Sequence, residues 1–395
     1  MFVNEKKIYI YERNTIDKAW IIKDSIHCKP LTHPKVHLQG ERIFVIDKDH
    51  WYKKNGKEYR YSGIIISYVK NEHGKWVEEQ ILLPPKMQYN YFGESYVIND
   101  SNIYVWAQKI ADEDIYSVVF IYKQEVNKWM LTDSIITSKE PWESPSRSIN
   151  TKGDFLSIGC PNCKSINKIF GRKVFGGKVD IYKKTEATNW TYQKSLGLKN
   201  GESDDKIGSA LSMYDNQIAV GNRDRNIAFH KDTMMSEKGG YSDVGSVCIY
   251  NLNDSSQHPV QELFPVDASR LKGRGFGTRV LLTKEYLFVG VNMLTTFHLE
   301  ENIDLDLRYG PQESEGAIYV YKKENNLWTF FQKIKPKDLK PFDQFGISFS
   351  FNSELNELIV GANQQENYPS SFPEESLDSG KVYVFRLDTL VSTQP

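Results

Sequence analysis

The sequence predicts an all-β fold assembled from one repeated unit of short strands, and three observations carry that prediction. Segments of alternating β-branched and aromatic residues recur seven times, at Ile8-Tyr-Ile-Tyr11, Ile64-Ile-Ile-Ser-Tyr68, Val118-Val-Phe-Ile-Tyr122, Lys178-Val-Asp-Ile-Tyr182, Ser246-Val-Cys-Ile-Tyr250, Ala317-Ile-Tyr-Val-Tyr321 and Lys381-Val-Tyr-Val-Phe385. Their terminal aromatics are separated by steps of 57, 54, 60, 68, 71 and 64 residues. No long segment shows helical periodicity. A period of this length, built from short strands, marks a propeller or repeat array and not a two-sheet sandwich.

Each repeat reads as four strands. The first is opened by a Phe-Gly pair, best seen in Phe342-Asp-Gln-Phe-Gly-Ile-Ser-Phe-Ser-Phe351, and the second ends in Gly-Ala, as in Glu357-Leu-Ile-Val-Gly-Ala-Asn363. First and second strands pair as Val36–Leu38 with Ile43–Ile46, Phe92–Ile98 with Asn102–Trp106, and Ser146–Ile149 with Phe155–Ile158. The later pairs are Ile207–Ser212 with Gln217–Gly221 and Phe276–Leu282 with Tyr286–Gly290. The third strand is the alternating segment, which a pleated, half-buried strand requires. A glycine precedes several of these (Gly63, Gly177, Gly245, Gly316, Gly380), where the turn needs a permissive backbone. Fourth strands centre on Trp20, Trp76, Trp129, Trp190 and Trp328, with the tryptophan missing at His258–Leu263. Such a unit cannot bury both faces alone, so it stacks on its neighbours, and closing the ring removes the unpaired end.

Seven third strands predict a seven-bladed β-propeller of four-stranded blades. It would span 1–395 as a single domain, with units near 1–26, 35–84, 91–136, 146–198, 205–264, 275–336 and 344–395. Met1-Phe-Val-Asn4 reads as a second strand, so the first unit lacks its innermost strand. The last unit has only Leu387 to Pro395 for a fourth. Two alternatives therefore stand: six blades with both termini sharing one, or a chain trimmed at its start.

Totals exclude several functions. Fifty Lys and Arg against 51 Asp and Glu leave a net charge of −1. A protein that neutralises many phosphates carries a basic excess, so nucleic acid is not an expected partner. No apolar run approaches the length of a membrane span. Met1–Lys7 lacks the apolar core of a secretory signal. Four cysteines are too few for a disulfide-built scaffold. Cys160-Pro-Asn-Cys163 lacks the βαβ context of a redox motif and reads as a local loop disulfide or two ordinary thiols, which leaves the redox compartment open.

The recurring order Phe-Gly, Val-Gly, Gly-x-Val-Tyr, Trp resembles the FG-GAP repeat, the unit of the integrin α-chain propeller and of many bacterial β-propellers. The resemblance covers nearly the whole chain. It is strongest at Phe345-Gly346 with Ile359–Ala362, Phe276-Gly277 with Phe288–Gly290, and Ile207-Gly208 with Ala219–Gly221. It implies cell adhesion or another extracellular or cell-surface role. Calcium-binding members carry an acidic loop between their first two strands. Here those turns are Met213–Asn216, Thr283–Glu285 and Asn352–Asn356, which cannot supply six to eight oxygens alone. No cofactor and no metal site is therefore expected.

The long connections between second and third strands, Asn222–Val244, Val291–Glu315 and Asn363–Ser379, with a shorter one at Pro161–Gly176, share one face in that geometry. Long loops on a rigid scaffold are where binding resides. The candidate ligand-binding residues are Arg223, Arg225 and His230, which could meet an anionic or sugar ligand, and Asp304 and Asp306, which alternate onto one side of an extended segment. Arg308, Tyr309 and Tyr368 complete the set, the tyrosines as stacking platforms. The plain alternatives are a solvated acidic face, local surface pairs and small satellite cores. His27, Cys28, His33 and His37 suggest zinc at first sight, but strand geometry turns His37 away, and unrelated side chains are the default.

No catalytic pattern is present: no G-x-S-x-G, no H-E-x-x-H and no G-x-x-x-x-G-K. Three sequons, at Asn99, Asn189 and Asn253, are expected by chance in a chain rich in asparagine. The leading expectation is a non-enzymatic interaction propeller that presents its loops to a protein or glycan, with its oligomeric state open. The alternatives are a carbohydrate-active enzyme or lectin-like domain using acidic residues on the loop face, and a structural module of a larger surface or secreted assembly.

Overall fold

The computed structural model describes residues 2–4, 7–14, 19–28, 31–32, 34–54, 57–86, 89–99, 101–111, 114–126, 128–138, 148–167, 171–185, 189–226, 244–267, 275–291, 315–340, 343–362 and 380–387. Its contacts divide the chain into two compact units, Met1–Glu143 with Thr185–Trp190, and Ser144–Lys184 with Thr191–Pro395. Every described regular element is a strand, and among the described residues no helix is long and apolar enough to cross a membrane.

In the first unit, β1 (Phe2–Asn4), β2 (Lys7–Arg13) and β3 (Trp20–His27) form a three-stranded antiparallel meander. A four-stranded sheet follows, ordered β4 (Lys35–Gln39), β5 (Arg42–Asp47), β8 (Ile64–Lys70) and β9 (Trp76–Leu82). The small hairpin of β6 (Tyr52–Lys54) and β7 (Lys57–Tyr59) lies between its second and third members. The next sheet runs β12 (Asn102–Ala111), β13 (Asp114–Glu125), β14 (Lys128–Ser138). Its inner edge is split into β10 (Tyr89–Asn90) and β11 (Tyr96–Ile98), both paired to β12.

The second unit repeats the meander. Its first sheet is β15 (Ser148–Lys152), β16 (Phe155–Cys160), β19 (Lys178–Lys184) and β20 (Trp190–Leu196), with a hairpin of β17 (Ser165–Asn167) and β18 (Arg172–Val174). Then come β21 (Ile207–Tyr214), β22 (Gln217–Asn222), β23 (Ser246–Asn251) and β24 (Gln261–Leu263). They are followed by β25 (Arg279–Leu282), β26 (Tyr286–Val291), β27 (Ala317–Glu324) and β28 (Leu327–Ile334). The last sheet has three strands, β29 (Ser348–Asn352), β30 (Glu357–Ala362) and β31 (Lys381–Arg386). This is an all-β architecture of β-propeller type. The expectation of seven four-stranded blades is corrected: among the described residues five sheets have four or more strands, while the sheets nearest the two chain ends have three each. The cause is local, because no described strand lies inside β1 or outside β31.

Alternation explains how the sheets stack. In β27, Tyr319 and Tyr321 turn toward Phe276 of their own sheet, edge-on at 5.4 and 6.4 Å. Ile318 and Val320, on the opposite face, join Phe345, Phe349, Leu358 and Val360 of the following sheet in one core cluster. Val247 and Ile249 of β23 likewise meet Phe276, Val280 and Val289, and in the first unit Phe44, Ile46 and Ile65 meet Phe92, Val105 and Phe120. Each cluster thus belongs to two consecutive sheets, so no sheet completes its core alone.

The Phe-Gly pair sits differently from expectation. At Phe345-Gly346 it lies in the turn before the strand, closed by the Ile347 N–H donating to Gln344 O at 3.1 Å. Gly346 has φ near +89°, which the third residue of a type II turn needs. The preceding phenylalanine or isoleucine is buried, and its backbone bridges to the glycine that opens the previous sheet's third strand: Gly63 to Phe92, Gly177 to Ile207, Gly245 to Phe276, Gly316 to Phe345. Gly245 shows why the residue must be glycine. Its φ is +89°, and a Cβ would overlap the Phe276 carbonyl oxygen.

A second inter-sheet contact joins the outer strands. Gln80 on β9 holds the main chain of Trp129: its Nε2 donates to Trp129 O at 3.1 Å, and its Oε1 accepts the Trp129 N–H at 2.7 Å. Gln261 on β24 does the same to Trp328, at 2.9 Å each way. Lys194, four residues after Trp190 as Gln80 is after Trp76, donates instead to the carbonyls of Asn251, Asp254 and Ser256.

Candidate functional site

A concavity lies within the second unit, where the turns of three successive sheets meet. It holds about 270 Å³ and is lined by Pro161, Asn162, Lys206, Ser209, Arg223 and Thr278. Pro161 and Asn162 come from the turn after β16, which is closed by a Cys160–Cys163 disulfide and by the Cys163 N–H donating to Cys160 O at 3.1 Å. The C-x-x-C pair is therefore a loop staple.

Lys206 and Ser209 flank the Ile207-Gly208 pair that opens β21. Lys206 takes φ of +56°, and its Nζ donates to Asn162 Oδ1 at 2.8 Å and to Asp204 Oδ1 at 2.9 Å. Ser209 and Thr278 occupy the same place in consecutive repeats. Each hydroxyl donates back to the carbonyl three residues earlier, Ser209 to Lys206 O at 2.6 Å and Thr278 to Gly275 O at 2.5 Å. Arg223 follows β22 and lays its Nε and Nη2 on the Asp224 carboxylate, both at 3.1 Å. The cleft thus offers two cations, each already leaning on an aspartate, together with hydroxyl and amide groups. That chemistry suits an anionic or polyhydroxylated group that can displace Asp204 or Asp224.

A wider furrow of about 580 Å³ runs along Lys284–Glu285 and Lys322–Asn326. It is formed by two adjacent turns of one sheet and is open to solvent, so the smaller cleft is the better candidate.

Of the residues singled out in the sequence, Arg223 lines the cleft. Arg225, two residues on, turns inward. It is 6% exposed, and its guanidinium donates to Asp205 Oδ2 at 3.0 Å, Glu262 Oε1 at 3.2 Å and Asn200 Oδ1 at 3.1 Å. Ser246 donates to the same Glu262 oxygen at 3.0 Å, and Asn222 Nδ2 donates to Ser246 Oγ and Cys248 Sγ. Burial lifts the Asp205 carboxyl from an ordinary 3.8 to about 6, although Arg225 and the Glu202 N–H pull the other way. Burial likewise raises the Cys248 thiol. This network ties the 200–205 turn to β22 and β24 and holds up the rim on which Lys206 and Arg223 stand. His230, Asp304, Asp306, Arg308, Tyr309 and Tyr368 lie outside the described residues, as does His33, while His37 packs against Phe44 and Tyr96 at ring distances of 6.5 and 6.0 Å. Among the described residues no three His, Cys, Asp or Glu side chains gather as a metal site.

Sequence reasoning missed Lys206, Ser209, Thr278 and Asn162. A usable signal existed: a serine or threonine directly follows both Ile207-Gly208 and Phe276-Gly277. It missed Asp205 as well, whose counterpart is Asp343. Both are buried, and both accept the backbone N–H three residues earlier, from Glu202 at 2.7 Å and Lys340 at 2.9 Å.

Residues 328–385 match the FG-GAP repeat family. That match, with the recurring turn, bridge and meander of the other sheets, supports an FG-GAP repeat in this segment of an all-β chain of β-propeller type. No curated protein matches it. Among solved structures, hydrazine synthase of Kuenenia stuttgartiensis is similar over 82% of this chain and 71% of its own, at 11% identity and a TM-score of 0.44.

Proposed function

We propose that this protein is a binding module that recognises an anionic group on a protein or glycan partner, seated over the cleft of Asn162, Lys206, Ser209, Arg223 and Thr278. The observation that carries the proposal is that three successive sheets bring polar turn residues and two cations to one enclosed concavity. The residues that hold the rim are themselves buried and hydrogen-bonded, so little ordering entropy is lost on binding. In this reading the module has six blades. Partners do not include nucleic acid or the membrane interior, and no cofactor is required.

The test is binding to an array of glycans and peptides in neutral and acidic series. The intact protein should retain uronate-, sialate- or carboxylate-rich probes, and Lys206→Glu with Arg223→Glu should lower that binding at least tenfold while leaving the melting temperature in place. Equal retention by the double variant would remove the cleft as the site. Hydrolysis of any arrayed glycan would instead favour the carbohydrate-active alternative.

A further inference from the structure

We propose that the first unit carries a sugar-binding platform, built on Tyr61 and Tyr91, that takes a neutral hexopyranose ring of a glycan. It is independent of the cleft in the second unit. Two strained residues point to it. Tyr61 and Tyr91 both take φ of +56°, a left-handed conformation that a bulky side chain adopts only when its surroundings impose it. They flank the bridge between Gly63 and Phe92 that joins two consecutive sheets, Tyr61 two residues before Gly63 and Tyr91 just before Phe92. The Tyr91 N–H donates to Tyr61 O at 2.6 Å, and the two rings lie 5.9 Å apart with a tilt of 31°. Phe92 is fully buried, whereas Tyr61 stays 51% exposed. The strained backbone therefore sets a pair of rings at the surface beside a rigid bridge, and does not add them to the core.

The surroundings suit a sugar better than a peptide. Lys48 Nζ lies 5.9 Å from the centre of the Tyr91 ring and pairs with Asp49 Oδ1 at 2.9 Å and Glu94 Oε2 at 3.3 Å. Glu94 belongs to the Tyr91 turn, its N–H donating to Tyr91 O at 2.9 Å. A pyranose has a C–H face that packs on an aromatic ring, and a rim of hydroxyls that donate to carboxylates and accept from an ammonium. The platform offers all three kinds of group side by side. An apolar peptide anchor needs a pocket that excludes water, whereas Tyr61 stands open to it. One ammonium between two carboxylates leaves no surplus positive charge for an acidic sugar, so the ligand is neutral. Trp51, 56% exposed, extends the apolar surface from a turn pinned to the same place. It follows His50, whose carbonyl accepts the Gly63 N–H at 3.2 Å and Ser62 Oγ at 3.1 Å. The second unit repeats the motif in outline. Phe175, two residues before the bridging Gly177, is 42% exposed, and Lys164 Nζ lies 5.3 Å from the centre of its ring.

The test titrates the full chain with cellotetraose, chitotetraose and mannotetraose, read by calorimetry and saturation-transfer NMR. Tetragalacturonate and a tryptophan-containing peptide serve as the acidic and peptide probes. At least one neutral sugar should bind, with saturation passing from tyrosine ring protons to its ring C–H protons. Tyr61→Gly and Tyr91→Asn should each weaken that binding at least about tenfold, the order of one lost stacking contact. Both should keep or raise the melting temperature, because glycine and asparagine accept the left-handed backbone that tyrosine resists. Tyr61→Phe keeps the ring and should keep the binding. Failure of all three neutral sugars to bind would overturn the proposal, as would binding of the acidic or peptide probe alone. Unchanged sugar affinity in Tyr61→Gly with a lowered melting temperature would make the pair a packing device and also overturn it. Should one of the two variants fail to fold, the other decides, and absence of ring-to-sugar transfer in the parent protein refutes the stacking on its own.

Discussion

Gly245→Ala tests the junction between consecutive sheets most directly. Gly245 accepts no side chain for two separable reasons. Its φ of +89° lies where an L-residue pays roughly 1–2 kcal/mol. A Cβ there would also overlap the Phe276 carbonyl oxygen and stand 2.9 Å from both Phe276 N and Arg223 O, all of them backbone atoms of packed turns. Relief requires the Phe276 turn to move away, which disturbs the bond from Phe276 N–H to Val244 O (3.1 Å) and the burial of the Phe276 ring. Overpacking of this kind costs about 1–3 kcal/mol, and a weakened hydrogen bond about 1 kcal/mol more. The expected loss is about 3–6 kcal/mol, or roughly 6–20 °C in melting temperature at ~2–4 °C per kcal/mol. Gly153→Ala is the matched control, because Gly153 also has positive φ (+55°) but nothing within 4 Å of the added carbon. It should lose only ~1–2 kcal/mol. Both would be measured by circular dichroism melts and urea titration. If the two variants lose the same stability, backbone dihedral strain alone explains the glycine and the close inter-sheet approach is not what selects it.

Two further predictions concern the second unit. Because burial raises the Asp205 carboxyl to about 6, the native state keeps a proton that the unfolded chain has released above pH ~4. Stability from this group is therefore full below pH ~4 and falls as pH rises toward and through 6. Asp205→Asn should remove that slope, so wild type and variant should diverge by roughly 2–3 kcal/mol between pH 4 and 7 in urea titrations, and parallel curves would refute the assignment. Replacing Cys160 and Cys163 together by serine opens a loop with a separation of only three residues. The expected loss is about 2 kcal/mol, measured with and without reductant, and insensitivity of the parent protein to reductant would contradict the bond.

Much of the fold was legible because its determinants are local. Period-two alternation in Ala317–Tyr321 needs only neighbouring side chains to declare a strand, and all seven third strands stand where that pattern places them, as β2, β8, β13, β19, β23, β27 and β31. Strand starts were less legible. Phe345-Gly346 reads as the opening of a strand but sits in the turn before β29, since the glycine's φ serves the turn and not the ladder. The split of β10 from β11 gave no sequence signal either. The clasp was half visible: Gln80 lies four residues after a tryptophan, yet nothing local says that such a glutamine faces the next sheet.

The site was less legible still. Arg223 and Arg225 look alike in Asn222-Arg-Asp-Arg225, and both read as surface cations. Both lie in the turn after β22, but the 200–205 turn, some twenty residues earlier, covers one and leaves the other in a cleft. By itself, then, the amino-acid order determined the strands, their repetition and their two-faced character, because those follow from side-chain pattern along a few residues. Only the tertiary structure decided which charges are buried in ion pairs and which line a cavity. Those outcomes depend on what a distant turn or neighbouring sheet brings within hydrogen-bond distance, and no local pattern records that.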